Sequence, residues 1–227
     1  MTDLSLDLED LGRVSALLER PPDAWLLYVL AHGAGAGMRH KFLESIAAAL
    51  AARGVATLRY QFPYMEIGKK RPDSPGVAEA TVRAAVGRAG SLAPELPLIA
   101  GGKSFGGRMT SGAAARGLLP AVKGLVFLGF PLHPPGQPGT GRAEHLHHVD
   151  LPMLFLQGTR DQFARLDLLT SVCRTLEPRA MLHLVEDGDH SFGVPRSSGR
   201  GQAAVLDELA DALVHWARST VLLGPRA

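Results

Sequence analysis

The chain has 227 residues, 46% of them hydrophobic, and this composition suits one α/β domain that buries a core without disulfides or metals. Its 24 basic and 22 acidic residues are spread along the chain, so the sequence has no electrostatic footprint for nucleic acid. No apolar stretch approaches the roughly 20 residues that span a bilayer, and the N-terminus lacks the pattern of a secretion signal. The single cysteine, Cys173, is interpreted as a buried thiol in a reducing compartment. We therefore expect a cytoplasmic protein with a single domain over residues 1–227.

The order of apolar patterns along the chain predicts the fold class. Residues 13–18, ahead of Pro21 and Pro22, are typical of an antiparallel edge strand. Behind them, six short apolar runs alternate with patterns in which apolar residues recur every three or four positions. The predicted strands cover residues 24–31, 55–60, 96–100, 124–129, 153–157 and 181–185, and the predicted helices cover residues 40–53, 77–88, 105–116, 162–176 and 202–220. This alternation indicates an α/β fold with a doubly wound, mostly parallel sheet of about six or seven strands.

A proline- and glycine-rich segment, residues 131–141, follows the fourth of these six strands. Folds of this kind often carry an inserted lid at that point. Few residues separate Phe130 from Leu151, so we expect an ordered loop and a minimal cap.

The most informative motif surrounds Ser104, which lies between Gly102 and Gly106 directly after the apolar run 97–100. Gly-x-Ser-x-Gly at a strand-to-helix turn is typical of a nucleophile elbow, where the serine oxygen projects into a cleft and the next amide faces the substrate. A chain with 26 glycines produces this spacing by chance fairly often. The prediction therefore depends on partners elsewhere in the chain.

Two suitable partners follow later strands. A serine nucleophile needs a base to take its proton, and the base needs an acid to orient it. Asp161 comes after the predicted strand 153–157, and His190 comes after the predicted strand 181–185. The chain order Ser104, Asp161, His190 is that of α/β hydrolases. As alternatives, Asp161 caps the helix predicted from residue 162, or His190 is a loop histidine held by a neighbouring aspartate.

The glycine-rich loop 33–37 follows the first parallel strand, where an oxyanion hole is expected. The amides of Ala34 and Phe105 are the predicted donors. A dinucleotide-binding loop is excluded because Met38 stands where its third glycine belongs. A phosphate-binding loop that ends at Ser104 is excluded because Pro97 stands where its first glycine belongs.

A metal site is the other alternative, suggested by the histidines of residues 144–148. The segment lacks His-Glu-x-x-His spacing and a nearby cysteine ligand, so we interpret these histidines as solvated or loop-packing residues. We predict no metal and no cofactor.

Loops around Ser104 predict a mixed apolar and polar substrate pocket. Lys103, beside the nucleophile, either offers a positive charge to an acyl anion or is simply solvated. The predicted lining residues are Met38, Phe42, Phe62, Tyr64, Lys103, Leu132 and His133.

These segments together resemble the α/β-hydrolase superfamily of the dienelactone-hydrolase-like kind. More narrowly, they resemble the hydrolase-like family that includes a regulatory subunit of a chromatin acetyltransferase complex. The resemblance is carried by residues 32–38, 60–65, 101–108, 130–136, 157–161 and 188–192. It implies an α/β-hydrolase fold with Ser104, Asp161 and His190 as the triad, and it does not specify a substrate.

The predicted function is that of a serine hydrolase, which cleaves a small acyl ester, thioester or related carbonyl compound through an acyl-enzyme intermediate. The alternative is a non-catalytic binding or scaffold protein on the same fold, since a fold does not dictate a function. We expect a small-molecule substrate and no nucleic-acid or membrane partner. The sequence does not define the oligomeric state.

Overall fold

The computed structural model describes residues 1–222, apart from the side chain of Asp10. Eight strands form one sheet in the order β1-β2-β4-β3-β5-β6-β7-β8. The strands are β1 (Thr2–Asp7), β2 (Arg13–Glu19), β3 (Leu26–Ala31), β4 (Val55–Tyr60), β5 (Leu98–Lys103), β6 (Val122–Leu128), β7 (Met153–Gly158) and β8 (Ala180–Val185). β2 runs antiparallel to both of its neighbours, and the pairs from β4 to β8 are parallel.

Helices cover both faces of the sheet. They are α1 (Lys41–Ala51), α2 (Pro63–Glu66), α3 (Pro75–Leu92), α4 (Phe105–Ala115), α5 (Leu166–Thr175) and α6 (Gln202–Trp216). Side chains of α3, α4 and α5 pack with one face of the sheet, and side chains of α1 and α6 pack with the other. The predicted doubly wound α/β sheet is confirmed, with one strand more than the upper predicted number.

The extra strand is β1, which the sequence analysis missed. β1 pairs with β2 along its whole length, from Thr2 opposite Leu18 to Asp7 opposite Arg13. Its Leu6 is buried in the core, while its aspartates lie at the solvent. An edge strand that alternates leucines with acids has a weak apolar signal, so its pattern resembles that of a polar terminus.

Several helix ends differ from the prediction, and α3 extends over Pro75–Leu92 where residues 77–88 were predicted. α5 begins at Leu166 and not near residue 162, because the carboxylate of Asp161 binds the amide of Phe163 in a local turn. α6 ends at Trp216, and a π-helical turn, Ala217–Leu222, follows it. None of the described helices combines the length and the apolar character that crossing a bilayer requires.

The order of the strands places the site. The chain passes from β3 outward to β4 and then crosses back to β5 on the other side of β3. The carboxyl ends of β3 and β5 therefore lie side by side, with Ala31 opposite Gly102. Ligands of doubly wound sheets bind in the crevice at such a switch point.

Candidate active site

Ser104 lies between β5 and α4 in a strained backbone conformation, with φ 49° and ψ −113°. A non-glycine residue rarely adopts positive φ, and such strain concentrates at functional sites. A Cβ at Gly102 would lie 2.3 Å from the main-chain oxygen of Ala31, and one at Gly106 would lie 2.6 Å from that of His32. Only glycine fits at either position, so the elbow depends on both.

Ser104, His190 and Asp161 form a continuous chain of hydrogen bonds. The Nε2 atom of His190 lies 2.9 Å from the Oγ of Ser104, and its Nδ1 lies 2.7 Å from the Oδ2 of Asp161. A carboxylate only accepts hydrogen bonds, so it fixes the histidine proton on Nδ1 and leaves Nε2 free to accept the serine proton. The structure thus brings together the three residues that the motif spacing singled out.

Asp161 is held by two further donors. Asp161 is buried, with 5% of its surface exposed. Its Oδ2 accepts from the side-chain amide of Gln157 at 2.6 Å, and its Oδ1 accepts from the main-chain amide of Phe163 at 2.7 Å. Gln157 is fixed in turn, because its Oε1 accepts from the amide of Phe130 at 2.9 Å. The sequence analysis gave Gln157 no role, and its only signal was an amide side chain within a buried strand.

The alternatives for Asp161 and His190 do not match the contacts. The N-cap of α5 is Arg165, so Asp161 does not cap that helix. The carboxylate of Asp189 accepts from the amides of Ser191 and Gly193 and shapes the loop that carries His190. The imidazole of His190 bonds to Asp161 instead.

The glycine loop is fixed from behind by a buried neutral histidine. The Nε2 of His32 accepts from the amide of Phe62 at 3.1 Å, so its Nδ1 donates to the oxygen of Gly33 at 2.8 Å. Burial lowers the pKa of His32 to about 4, which keeps the ring neutral. The hydroxyl of Tyr64 accepts from the amide of Gly35 at 2.9 Å. These contacts hold the loop that presents Ala34 to the cleft.

The amide of Phe105 belongs to the first turn of α4, where main-chain N–H groups have no partner within the helix. Ala34 lines the cavity at Ser104 from the other side. The two residues with the predicted oxyanion donors thus lie on opposite sides of Ser104, and the N-terminus of α4 adds a favourable field for an anion.

A cavity of about 290 Å³ opens beside Ser104. Its walls are the glycine loop, the start of α1, the elbow and the loops of Phe163 and His190. The ring centroid of Phe163 lies 4.3 Å from that of His190 and covers one face of the imidazole. A larger hollow of about 730 Å³ lies between β1 and α3, but none of the three hydrogen-bonded residues reaches it.

Of the seven predicted pocket residues, only Phe42 and Lys103 line this cavity. Met38 lines a separate hollow behind the glycine loop. Phe62 and Tyr64 turn inward against the ring of His32.

Leu132 and His133 also lie outside the cavity; both belong to the loop that follows β6, and both are buried. The imidazole of His133 is bound to the loop before α5, because its Nε2 accepts from the amide of Arg165 at 2.8 Å. Five of the predicted lining residues therefore do not line the cavity, since nearness along a loop does not determine where a side chain points.

The histidine-rich segment forms a 3₁₀ helix, Gly141–His148, that packs on α4. Within residues 1–222, the described side chains form no group of three or more metal-ligating residues. His145 bonds to Ser111 instead, at 2.7 Å between Nε2 and Oγ.

A doubly wound sheet with a serine at the strand-to-helix elbow, followed in chain order by an acid and a histidine, defines the α/β-hydrolase class. A family model described as an alpha/beta hydrolase domain matches residues 24–218. The chain belongs to this family, and at that level it is a hydrolase.

Solved structures agree on the fold over nearly the whole chain. A serine hydrolase without a lid from Xanthomonas campestris is 22% identical with a TM-score of 0.73, and the match covers 100% of this chain and 96% of that one. Dienelactone hydrolase from Anabaena variabilis is 19% identical with a TM-score of 0.77, and the match covers 97% of both chains. An esterase domain from a Rhodothermus marinus protein is 19% identical with a TM-score of 0.72, covering 97% of this chain and 98% of that one. These proteins thus share the fold of this chain, and the narrower resemblances, to dienelactone hydrolases and to the family with a chromatin-complex subunit, stay predictions.

Proposed function

We propose that this protein is a serine hydrolase that transfers an acyl group to water through a covalent intermediate on Ser104. The hydroxyl of Ser104 attacks the substrate carbonyl while His190 takes its proton at Nε2. His190 then gives that proton to the leaving group, and the ester bond of the acyl-enzyme remains on Ser104. A water molecule, deprotonated by His190, attacks this ester and releases the acid, which restores the serine. Asp161 keeps the ring oriented and stabilises the imidazolium.

The observation that carries this proposal is the unbroken path from Ser104 Oγ through both nitrogens of His190 to a buried carboxylate, with lengths of 2.9 and 2.7 Å. The path starts at the wall of an open cavity, so a carbonyl carbon can approach the serine oxygen. We assign the oxyanion to the amides of Ala34, which lines the cavity, and of Phe105, at the start of α4. Loss of one such donor typically costs about 3 to 4 kcal/mol of transition-state stabilisation.

The size and walls of the cavity support a small acyl substrate. Its volume of about 290 Å³ lies at the lower end of small-molecule sites, which run from about 300 to 1,000 Å³. Phe42, Leu43 and Phe163 give it an apolar wall. The connection from β6 to β7 contains only the short 3₁₀ helix Gly141–His148, so it covers little of the site. The similar Xanthomonas campestris hydrolase is likewise one without a lid.

A panel of p-nitrophenyl esters, thioesters and lactones tests the proposal and separates these substrate classes. We expect turnover of acetyl and butyryl compounds by the wild type. Ser104→Ala should lower kcat by several orders of magnitude, as when a triad is dismantled, because no other group forms the acyl-enzyme. Activity of Ser104→Ala above about a tenth of wild type would contradict the role of Ser104. Efficient turnover of long-chain esters with little of the butyryl ester would contradict the small-acyl assignment.

A further inference from the structure

Lys103 is a charged residue in a buried position. It ends β5, directly before Ser104, and is only 9% exposed. Burial disfavours the ammonium form and lowers the pKa of Lys103 to about 8, although Asp161 and Asp189 act in the opposite direction. Burying an ammonium group costs free energy that an apolar side chain would not. The contacts of the buried ammonium group therefore bear on its role.

The ammonium group contacts the main chain of His190. Its Nζ donates to the main-chain oxygen of His190 at 2.5 Å, and it lies 5.6 Å from the ring centroid of Phe192. A Cβ at Gly129 would lie 3.0 Å from this Nζ, 3.4 Å from the His190 oxygen and 3.5 Å from the Oδ2 of Asp161. The absence of a side chain at Gly129 thus leaves room for the ammonium group beside the main chain of His190.

This contact joins two loops that must keep a fixed distance. Ser104 is fixed to the sheet by β5, whereas His190 lies on the loop after β8, three strands away in the sheet. We propose that Lys103 is a positioning residue, which holds the main chain of His190 so that its imidazole stays within hydrogen-bond reach of the neighbouring Ser104. This inference rests on the proposed function, because it takes His190 as the base for Ser104.

The charge of Lys103 matters for this role. Hydrogen bonds from an ammonium group are shorter and stronger than those from a neutral amine. The charged groups that act on it are the carboxylates of Asp161 and Asp189, and Asp161 also binds the side chain of His190. As the pH rises through about 8, Lys103 loses its proton, the hydrogen bond to His190 weakens, and turnover should fall.

Steady-state kinetics of Lys103→Met and Lys103→Arg from pH 6 to 10 test the proposal with a p-nitrophenyl butyrate substrate. For Lys103→Met we expect kcat to fall about 10- to 100-fold with KM within about twofold of wild type, since small misplacements of reacting groups cost about 100-fold. The wild type should lose kcat above about pH 8, Lys103→Met should lack this limb, and Lys103→Arg should recover part of kcat with the limb moved to higher pH. Lys123→Met, which removes an exposed lysine from β6, is the matched control with wild-type kinetics.

Three results would overturn the proposal: a kcat of Lys103→Met within twofold of wild type, a rise in KM with kcat unchanged, or a descending limb that persists in Lys103→Met. If Lys103→Met does not fold, the pH profile of Lys103→Arg is compared with that of the wild type. A fall in kcat near pH 8 that is the same in both proteins then overturns the proposal. Ser104→Ala measured alongside separates the two levels. Loss of activity in Ser104→Ala together with wild-type kinetics in Lys103→Met rejects only the positioning role, whereas full activity in Ser104→Ala rejects the proposed function itself.

Discussion

The molecule contains two serine–histidine hydrogen bonds that look alike in distance. We call Ser104 with His190 the elbow pair and Ser111 with His145 the helix pair. The Oγ to Nε2 distance is 2.9 Å in the elbow pair and 2.7 Å in the helix pair. Distance alone would favour the helix pair as a reactive site, so the difference must come from what surrounds each pair.

The second partner of each group reverses the direction of the hydrogen bond. In the helix pair, the hydroxyl of Ser111 donates to the main-chain oxygen of Arg108 at 2.9 Å, so the Nε2 of His145 must carry the proton and donate to Ser111. In the elbow pair, Asp161 takes the Nδ1 proton, and the Nε2 of His190 accepts from Ser104. Only the elbow histidine can act as a base toward its serine.

Access separates the pairs as well. Ser111 is buried on the inner side of α4, while Ser104 lines an open cavity. Burial and the charges of Arg108 and His148 lower the pKa of His145, which favours a neutral ring that serves packing. A serine thus becomes a nucleophile when a carboxylate binds the other nitrogen of its histidine and a cavity admits the substrate. A short serine–histidine distance is not sufficient.

The largest expected effect comes from replacing Asp161, the acid that binds the histidine of the elbow pair. Asp161→Asn keeps the shape but offers a donor or a weaker acceptor to Nδ1, which allows the wrong tautomer of His190. We expect kcat to fall by roughly 10⁴-fold, the order seen when a triad aspartate is replaced by asparagine. Steady-state assays with p-nitrophenyl butyrate measure this loss. A decrease in kcat of less than tenfold would mean that Asp161 does not orient His190.

A smaller effect on substrate preference is expected from a change in the cavity beside the elbow pair. Phe42 lines this cavity and also a neighbouring groove of about 290 Å³, and its ring stacks on Phe192 with centroids 5.6 Å apart. Phe42→Ala should join the two hollows and raise the ratio of octanoyl to butyryl kcat/KM by at least about tenfold, the effect of one additional accommodated methylene at about 1 to 3 kcal/mol. Met65→Ala, in the separate hollow behind the glycine loop, is the control that should leave this ratio unchanged. A constant ratio in Phe42→Ala would show that the substrate does not lie against this ring.

The smallest effect on turnover belongs to the helix pair. Ser111→Ala should leave kcat within about twofold of wild type but lower the free energy of unfolding by about 1 to 2 kcal/mol, because it removes a buried hydroxyl with two partners. Urea denaturation measures this change. Ser91→Ala removes an exposed hydroxyl that bonds Gly87 within α3, and its effect should stay within about 0.5 kcal/mol. Loss of activity in Ser111→Ala would break the distinction between the pairs.

Sequence reasoning reached the elbow pair because strand ends and chemistry coincide there. The doubly wound sheet follows from six short apolar runs, of which only residues 55–60 include a charged side chain, Arg59, and parallel strands bring their ends to one edge. β1 escaped detection because its leucines alternate with acids at the sheet's edge. Gln157 escaped because its role depends on a turn that brings Asp161 back over the end of its own strand.

Side-chain direction explains the other differences. Phe62 and Tyr64 follow β4 close to the site, yet both side chains point behind the glycine loop: the ring of Phe62 packs edge-on with His32, and the hydroxyl of Tyr64 accepts from the amide of Gly35. The solvated alternative for Lys103 is wrong, because the side chain is buried at the end of β5. Its contact with the main chain of His190 has no signature in the sequence, since it depends on how the loop after β8 folds.

Labelling with a fluorophosphonate tests the central claim, that the elbow pair alone contains an activated nucleophile, most directly. Intact mass and peptide mapping should show one adduct per chain, on Ser104, in the wild type and in Ser111→Ala. Ser104→Ala and Asp161→Asn should remain unlabelled over the same time. An unlabelled wild type, as expected of a scaffold protein, or an adduct on Ser111 would contradict the account.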